Sequence, residues 1–523
     1  MSGSNPARKG LVLLAAGTIV LAALAAYHGI FRVPFLFDDF NAVTLNPTIQ
    51  QLWPPWEALR TPQGTGSETD GRPLANLSFA VNYAISGNSP WSYHAGGLLL
   101  HILTALALLG VLRRTLARFH APAGDFTAFA IALLWTVHPL QTETVTTVAH
   151  RTELLVSLFY LLTLYCFARG VEGEARLRPP EAGYAVAISG PEGRKSAGGL
   201  GAAVACCLLG MLSKEVMVSA PLIVLLYDRT FVSGSFAEAW RRRRGFFLCL
   251  AGTWTVLVVL RIISPERGGT GGFGLGMSSW NYALTQCRAI VHYLRLSFWP
   301  HPLILDYGDR VVGGIGAVVP QGLLLLALLA ATAVALWRKP ALGFAGACFF
   351  AILGPSSSFL PLLTQTEAEH RMYLPLAAVL AVAVCGLEAA VAGRPASRPL
   401  AWGLAAAAVV LGAATVRRNY DYRSAVAIWT DSVQRLPGNP RAHDNLANAL
   451  LEVNEVPEAI AQYETALRLD PRDVQAHYNL GNVLLQSGRL DEAIAHYQAA
   501  LRTAPAFVLA HDNLGNALLR AGR

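Results

Sequence analysis

Apolar runs recur from Leu11 to Val416, each near the roughly 20 residues a helix needs to cross a bilayer core, or shorter where Gly, Pro or a polar residue interrupts. Beyond about Pro440 they cease. With 53% hydrophobic and 14% charged residues over 523, a water-exposed surface of this composition would aggregate, so the bilayer is the expected solvent. The shift near Arg417 divides a membrane body, residues 1–418, from a soluble tail, residues 419–523. Arg417 and Arg418 mark the water interface.

The pattern predicts spans near residues 11–29, 93–112, 126–139, 152–169, 199–212, 215–228, 245–263, 317–337, 341–362, 372–391 and 400–416, eleven helices in all. Arg8 and Lys9 precede the first run and no small-residue cleavage site follows it, which reads as a retained signal anchor. The net charge of +8 gathers in short loops (Arg113, Arg114, Arg118; Arg176, Arg178, Arg194, Lys195; Arg229, Arg241 to Arg244; Arg338, Lys339; Arg394, Arg398). Such a bias marks cytoplasmic loops and speaks against nucleic acid as a partner. All seven cysteines lie in or beside apolar runs without CxxC or paired spacing, so neither a disulfide framework nor a zinc motif is indicated.

An odd number of spans puts the tail on the non-cytoplasmic face, together with the long loop after the first helix. The stretch 282–299 carries Arg288, His292 and Arg295 at helical spacing, which makes burial in lipid costly and suggests an interfacial or re-entrant helix. If it spans and no other count changes, the tail and the first loop part company.

On this topology the outer face collects polar residues. Asp38-Asp39 follows the first helix. Two readings stand: a solvated loop or helix cap, and a carboxylate that takes the proton of a sugar-accepting hydroxyl, a poor nucleophile unaided. Arg72 is either an interfacial anchor or a phosphate ligand. His94 and His101, seven apart on one helix face, suit packing within the bundle better than metal ligation, because no third ligand stands at a fixed spacing. His138, Glu143 and Arg151 crowd the junction of two membrane helices, where they either hydrogen-bond helices together or recognise a phosphate and sugar. Arg371 suits a forked contact to phosphate or an ion pair with Glu367. Asp306-Tyr307 adds an acid and an aromatic to this face.

The tail repeats. Ala442-His443-Asp444-Asn445-Leu446 returns as Ala476-His477-Tyr478-Asn479-Leu480 and as Ala510-His511-Asp512-Asn513-Leu514, a 34-residue period that identifies two-helix tetratricopeptide repeats. Ala459/Ala493, Tyr463/Tyr497, Ala466/Ala500 and Pro471/Pro505 occupy the expected small, aromatic, small and terminating positions, and Trp429 suggests a degenerate preceding repeat. The chain stops at Gly522-Arg523, where a second helix would begin, which reads as a fragment or a short array. Asn445, Asn479 and Asn513, with Asn448, Asn482 and Asn516, form ladders. An amide offers both donor and acceptor, so such ladders suit an extended peptide backbone; they are equally a common polar surface choice in repeats.

In combined order, Phe37-Asp38-Asp39, Arg72-Pro73-Leu74 through Ser78-Phe79, Asn82-Tyr83, Gly87, Pro90-Trp91, Tyr93-His94, His101, His138-Pro139 with Thr142-Glu143, Arg151, Tyr293-Leu294 with Asp306-Tyr307, and Arg371 with Tyr373-Leu374-Pro375 resemble the transmembrane and tetratricopeptide-repeat O-mannosyltransferases and their bacterial relatives. The resemblance covers nearly the whole chain. It implies an all-α protein, a GT-C-like membrane bundle followed by an α-solenoid, that uses a polyprenyl-phosphate sugar as donor. It further implies that Asp38 and Asp39 are the catalytic pair, with Asp38 preferred as base, and that Arg72, His138, Glu143, Arg151 and Arg371 hold the donor. Two departures bear on the sugar: His150-Arg151-Thr152-Glu153 replaces a Gly-Arg-Ala-Asp-like turn, and Glu369-His370-Arg371 replaces a tighter Glu-Arg pair.

The expected reaction is inverting transfer of a hexose such as mannose to a protein Ser/Thr hydroxyl. The lipid phosphate leaves as a stable anion assisted by cationic side chains. No metal is required by this chemistry, and a divalent cation is left open. Two other readings remain: transfer to lipid or polysaccharide, and a membrane-anchored repeat scaffold without catalysis. Partners are then the lipid-linked donor, membrane lipids and an acceptor protein on the repeats. The Arg-, Ala- and Gly-rich composition points to a bacterial inner membrane with a periplasmic site, the alternative being a lumenal site in the endoplasmic reticulum.

Overall fold

The computed structural model describes residues 6–62, 67–118, 124–176, 191–263, 277–308, 311–358, 361–362, 365–391 and 397–523. Of the basic loop positions, Arg178 and Arg394 lie outside the described residues. Among the described residues the regular structure is entirely helical. Seven helices are long and apolar enough to cross a membrane, and Gly124–Thr136, Ser196–Met211, Pro340–Leu353 and Pro375–Val391 are shorter apolar helices; together they match the eleven expected positions. The chain is an integral membrane protein.

Several boundaries move for local reasons. The helix expected over 341–362 ends at Leu353, because Gly354-Pro355 follows. That expected over 372–391 starts at Pro375, after a 3-10 turn at Glu369–Met372. His138-Pro139 likewise closes Gly124–Thr136 early and opens a 3-10 turn. Ser279–Phe298 is a single amphipathic helix that is not among the apolar spans, in keeping with its three basic residues. Close helix packing relies on small residues: a Cβ added at Gly199 would meet the Gly170 backbone at 2.8 Å.

The chain divides into two compact units, Met1–His301 with Val311–Leu363 and Glu369–Tyr420, and Pro302–Arg310 with Thr364–Ala368 and Asp421–Arg523. In the first unit the loop after the first helix has its own core, in which Ala42, Val43, Ile49, Ala58, Phe79, Ala80 and Tyr93 pack with Val148 and Ala149. Asn76 ties this loop together. Its side-chain nitrogen donates to the Thr48 hydroxyl and the Ala58 carbonyl, each at 2.9 Å, and its oxygen accepts from Asn46.

In the second unit Ala425–Arg435 precedes the helix pairs Pro440–Glu452 with Val456–Leu469 and Val474–Gln486 with Leu490–Thr503, and then Val508–Arg520. The small and aromatic positions interlock: Ala459, Tyr463, Ala493 and Tyr497 are fully buried, and a Cβ on Gly481 would sit 2.7 Å from the Tyr497 ring. Asp306 belongs to this unit, where Arg441 takes both carboxylate oxygens at 2.6 Å.

Candidate functional site

The acid pair sits at an unusual backbone turn. Phe37 has φ +48°, a left-handed conformation rare for an aromatic residue, and the chain then enters a π-helical turn over Phe40–Thr44. This turn sends the two carboxylates into different surroundings. Asp39 is fully buried, and its oxygens accept the backbone N–H of Leu36 at 3.0 Å and of Ala149 at 2.6 Å. Burial pushes the Asp39 carboxyl up to about 7, opposed by the backbone N–H groups of Leu36, Ala149 and Val148 and by the Arg151 charge. Asp38 is half-buried.

Ala149 belongs to the short turn Val148–His150, so the residue that holds Asp39 adjoins His150 and lies two residues before Arg151. Arg151 donates to the Asn82 side chain at 3.0 Å and the Tyr93 carbonyl at 2.6 Å, and its guanidinium lies over the Phe79 ring. Space there is tight: a Cβ on Gly96 would stand 3.2 Å from the guanidinium. Through these two contacts Arg151 joins the first-loop helix Pro73–Ser86 to the membrane helix Trp91–Ala117, while its buried Nε has no hydrogen-bond partner.

His138 is also committed. Nε2 donates to the Ser297 carbonyl at 3.2 Å and Nδ1 accepts from the Leu140 N–H, while burial lowers the imidazole to about 4 and keeps it neutral. Arg371 is buried beside the Tyr282 hydroxyl, Gln286 and Ser357 at 3.3 to 3.5 Å. Glu143 receives the His370 backbone N–H on one oxygen at 3.0 Å and the His370 ring on the other at 2.9 Å, and burial raises its carboxyl. His94 and His101 each donate from Nε2 to a backbone carbonyl, of Val33 and Thr136, at 3.0 Å. They are packing polars.

Arg72 opens onto the second feature of the site. Its guanidinium meets the Glu68 carbonyl at 2.7 Å and the Glu68 carboxylate, and approaches Glu215 at 3.5 Å. Lys214 stands 2.9 Å from Glu153 and 3.8 Å from Glu68. Burial works against the Glu68 charge, yet Arg72 and Lys214 hold its carboxyl below the usual range. Arg72 and Lys214 line a pocket with Gly71, Met211, Glu215, Leu257, Leu260 and Arg261. Three cations and the Glu215 carboxylate thus face one cavity, a net positive lining whose apolar wall comes from Trp254–Ile263, part of the membrane-crossing helical segment Phe236–Ile263.

Lys214 and Arg261 escaped the sequence reading. The signal for Lys214 was present, since Ser213-Lys214-Glu215 is a polar break between two apolar runs. In the repeats the asparagine ladder exists, but much of it links repeat to repeat. Asn448 accepts from Tyr463, Asn482 accepts from Tyr497 and from Asn513, and Asn479 reaches Asp444 and Asn448. Asn445 donates back to the Arg441 carbonyl within its own helix, and Asn516 is exposed.

A tetratricopeptide-repeat family model matches residues 445–506 and 486–523. Among curated proteins the chain is 35% identical over 158 residues to mouse protein O-mannosyl-transferase TMTC2, covering 28% of this chain and 18% of that protein. It is 27% identical over 300 residues to Drosophila protein O-mannosyl-transferase Tmtc2, covering 55% and 29%. These stretches span less than a third of the length of those relatives. Among solved structures, the crystal structure of apo ArnT from Cupriavidus metallidurans aligns over 98% of this chain and 78% of its own, with 15% identity and a TM-score of 0.40. The resemblance to the TMTC O-mannosyl-transferases read from the sequence is therefore matched by curated relatives.

Proposed function

We propose that this chain is a membrane glycosyltransferase that moves a hexose, such as mannose, from a polyprenyl-phosphate carrier to a protein Ser/Thr hydroxyl on the non-cytoplasmic face. The observation that carries the reading is the pocket in which Arg72, Lys214 and Arg261 meet an apolar wall of membrane helix. A phosphate on a lipid tail needs both features side by side, cations for the head and hydrocarbon for the chain. Similarity to protein O-mannosyl-transferases supports the same class.

In this reading Asp38 takes the proton of the acceptor hydroxyl as its oxygen bonds to the anomeric carbon, and the bond from that carbon to the phosphate oxygen breaks. The electron pair leaves on the lipid phosphate, where the cations stabilise the anion. Asp39 is the positioning residue: its two backbone donors set the turn on which Asp38 is carried. Glu143 and Arg371 line the neighbouring polar interior, and His138 and Arg151 hold helices in place. The repeats would take the acceptor chain, with Asn448 and Asn482 as rungs between repeats and the exposed Asn516 available to contact it.

Mass analysis of envelope proteins from cells with and without the chain tests the acceptor class. Hexose on Ser/Thr that vanishes with the chain supports the proposal. A change confined to lipid or polysaccharide would move the acceptor to those molecules.

A further inference from the structure

Glu143, His150 and His370 come from three separate segments and converge, all buried, with one ligand atom from each lying within 4.8 Å of the others. Both histidines stand in the segments where the sequence departs from the family it resembles, and their ring centroids are 4.1 Å apart. The carboxylate oxygen Oε1 of Glu143 is 2.9 Å from Nδ1 of His370 and 3.8 Å from Nε2 of His150. A tetrahedral ion with bonds of about 2.0–2.1 Å sets neighbouring ligand atoms about 3.4 Å apart, a spacing that these two edges bracket.

A second observation concerns His150 alone. Its Nδ1 faces the Glu143 carbonyl oxygen at 3.4 Å and so must donate, which leaves the lone pair on Nε2. That nitrogen is buried and has no hydrogen-bond partner. A backbone carbonyl fixing one ring nitrogen while the other faces a carboxylate and a second imidazole is the arrangement that orients a metal-ligating histidine. The other Glu143 oxygen is fixed by the His370 backbone N–H at 3.0 Å.

We propose that Glu143, His150 and His370 form a binding site for a divalent transition metal of the zinc class, with the fourth position left for water or a substrate oxygen. His₂Glu is a ligand set of neutral imidazoles and one carboxylate suited to such an ion. Loading replaces the hydrogen bond between His370 Nδ1 and Glu143, and the ring proton of His370 moves to Nε2. The ion then fastens the turn at Val148–His150 to Glu369–Met372, and through Ala149 it steadies the seat of Asp39. The site stands on its own geometry and does not depend on the transferase reading.

The test uses the full chain in detergent, stripped with dipicolinate, loaded with zinc alone or cobalt alone, and desalted before metal quantification. Expected are one zinc per chain in the wild type, at least about tenfold less in His150→Ala and in His370→Ala, and tetrahedral cobalt absorption in the wild type only. Wild-type protein that retains neither metal, or folded variants that retain as much as wild type, would overturn the site. Should the variants fail to fold, the wild-type cobalt spectrum decides, and the absence of a tetrahedral band counts against the proposal.

Discussion

The carboxylate of Asp39 accepts a 2.6 Å hydrogen bond from the backbone N–H of Ala149, 110 residues further along the chain. Its other oxygen is held by Leu36 within the same turn. Two adjacent acids therefore differ in kind, Asp39 a buried joint between segments and Asp38 a half-buried group on the turn that this joint supports.

The difference separates two isosteric substitutions. Asp38→Asn is expected to leave the unfolding temperature unchanged and to slow transfer by about 10²–10⁴-fold, the usual worth of a general base. Asp39→Asn turns an amide N–H₂ toward one of the two backbone donors, so it is expected to cost about 1–3 kcal/mol of stability and to lower activity as well. Thermal unfolding in detergent beside a transfer assay distinguishes them.

The cationic pocket predicts a split between binding and folding. Arg261 is exposed at the pocket. Arg261→Ala is expected to raise KM for the lipid donor about tenfold with little change in kcat or unfolding temperature. Lys214→Ala instead strands Glu153, whose side chain is 8% exposed, and is expected to destabilise the fold by about 3–5 kcal/mol in addition to weakening donor binding. Kinetics against donor concentration, with unfolding measured in parallel, checks both.

Arg241 to Arg244, expected in a loop, fall within the helix Phe236–Gly252, and not all of them serve topology alone. Arg243 is buried against Asp228, with both carboxylate oxygens within 3.0 Å, whereas Arg241 is exposed beside Glu238. Arg243→Ala is expected to destabilise the chain by about 3–5 kcal/mol because a buried carboxylate loses its partner. Arg241→Ala is expected to leave stability unchanged. Unfolding curves of the two variants make the comparison.

Within the repeats, burial and then the nearby Asp473 raise the Asp444 carboxyl to about 7. An acid raised in the folded state binds its proton more tightly there than in the unfolded chain. Its stabilising effect is therefore complete below its ordinary value near 3.8 and is lost as pH rises through about 7. Hydrogen exchange in the helices Pro440–Glu452 and Val474–Gln486 should show protection falling between these limits by up to about 1.4 kcal/mol per pH unit. Asn448 and Asn479 donate to different oxygens of Asp444, so Asp444→Asn keeps an acceptor for one of them, removes the titrating group and should flatten that dependence.

Eleven apolar helices and the 34-residue repeat were legible because each is written in local periodicity. What escaped depends on convergence in space. Glu143 and His370 meet across 227 residues, and no spacing rule spans such a gap. Asp306 reads as a polar residue of the outer face until Arg441 is seen to claim it within the repeat unit. Helix ends at Leu353 and Thr136 follow Gly-Pro and His-Pro signals that a hydropathy window runs across.

The most direct measurement is transfer of radiolabelled hexose from a polyprenyl-phosphate donor to a Ser/Thr-bearing acceptor by the purified full chain, with Asp38→Asn alongside. The wild type is predicted to label the acceptor and release polyprenyl phosphate, and the variant, equally folded, to do both about 10²–10⁴-fold more slowly. Labelling by Asp38→Asn at the wild-type rate would contradict the assignment of Asp38 as the base and the account built on it.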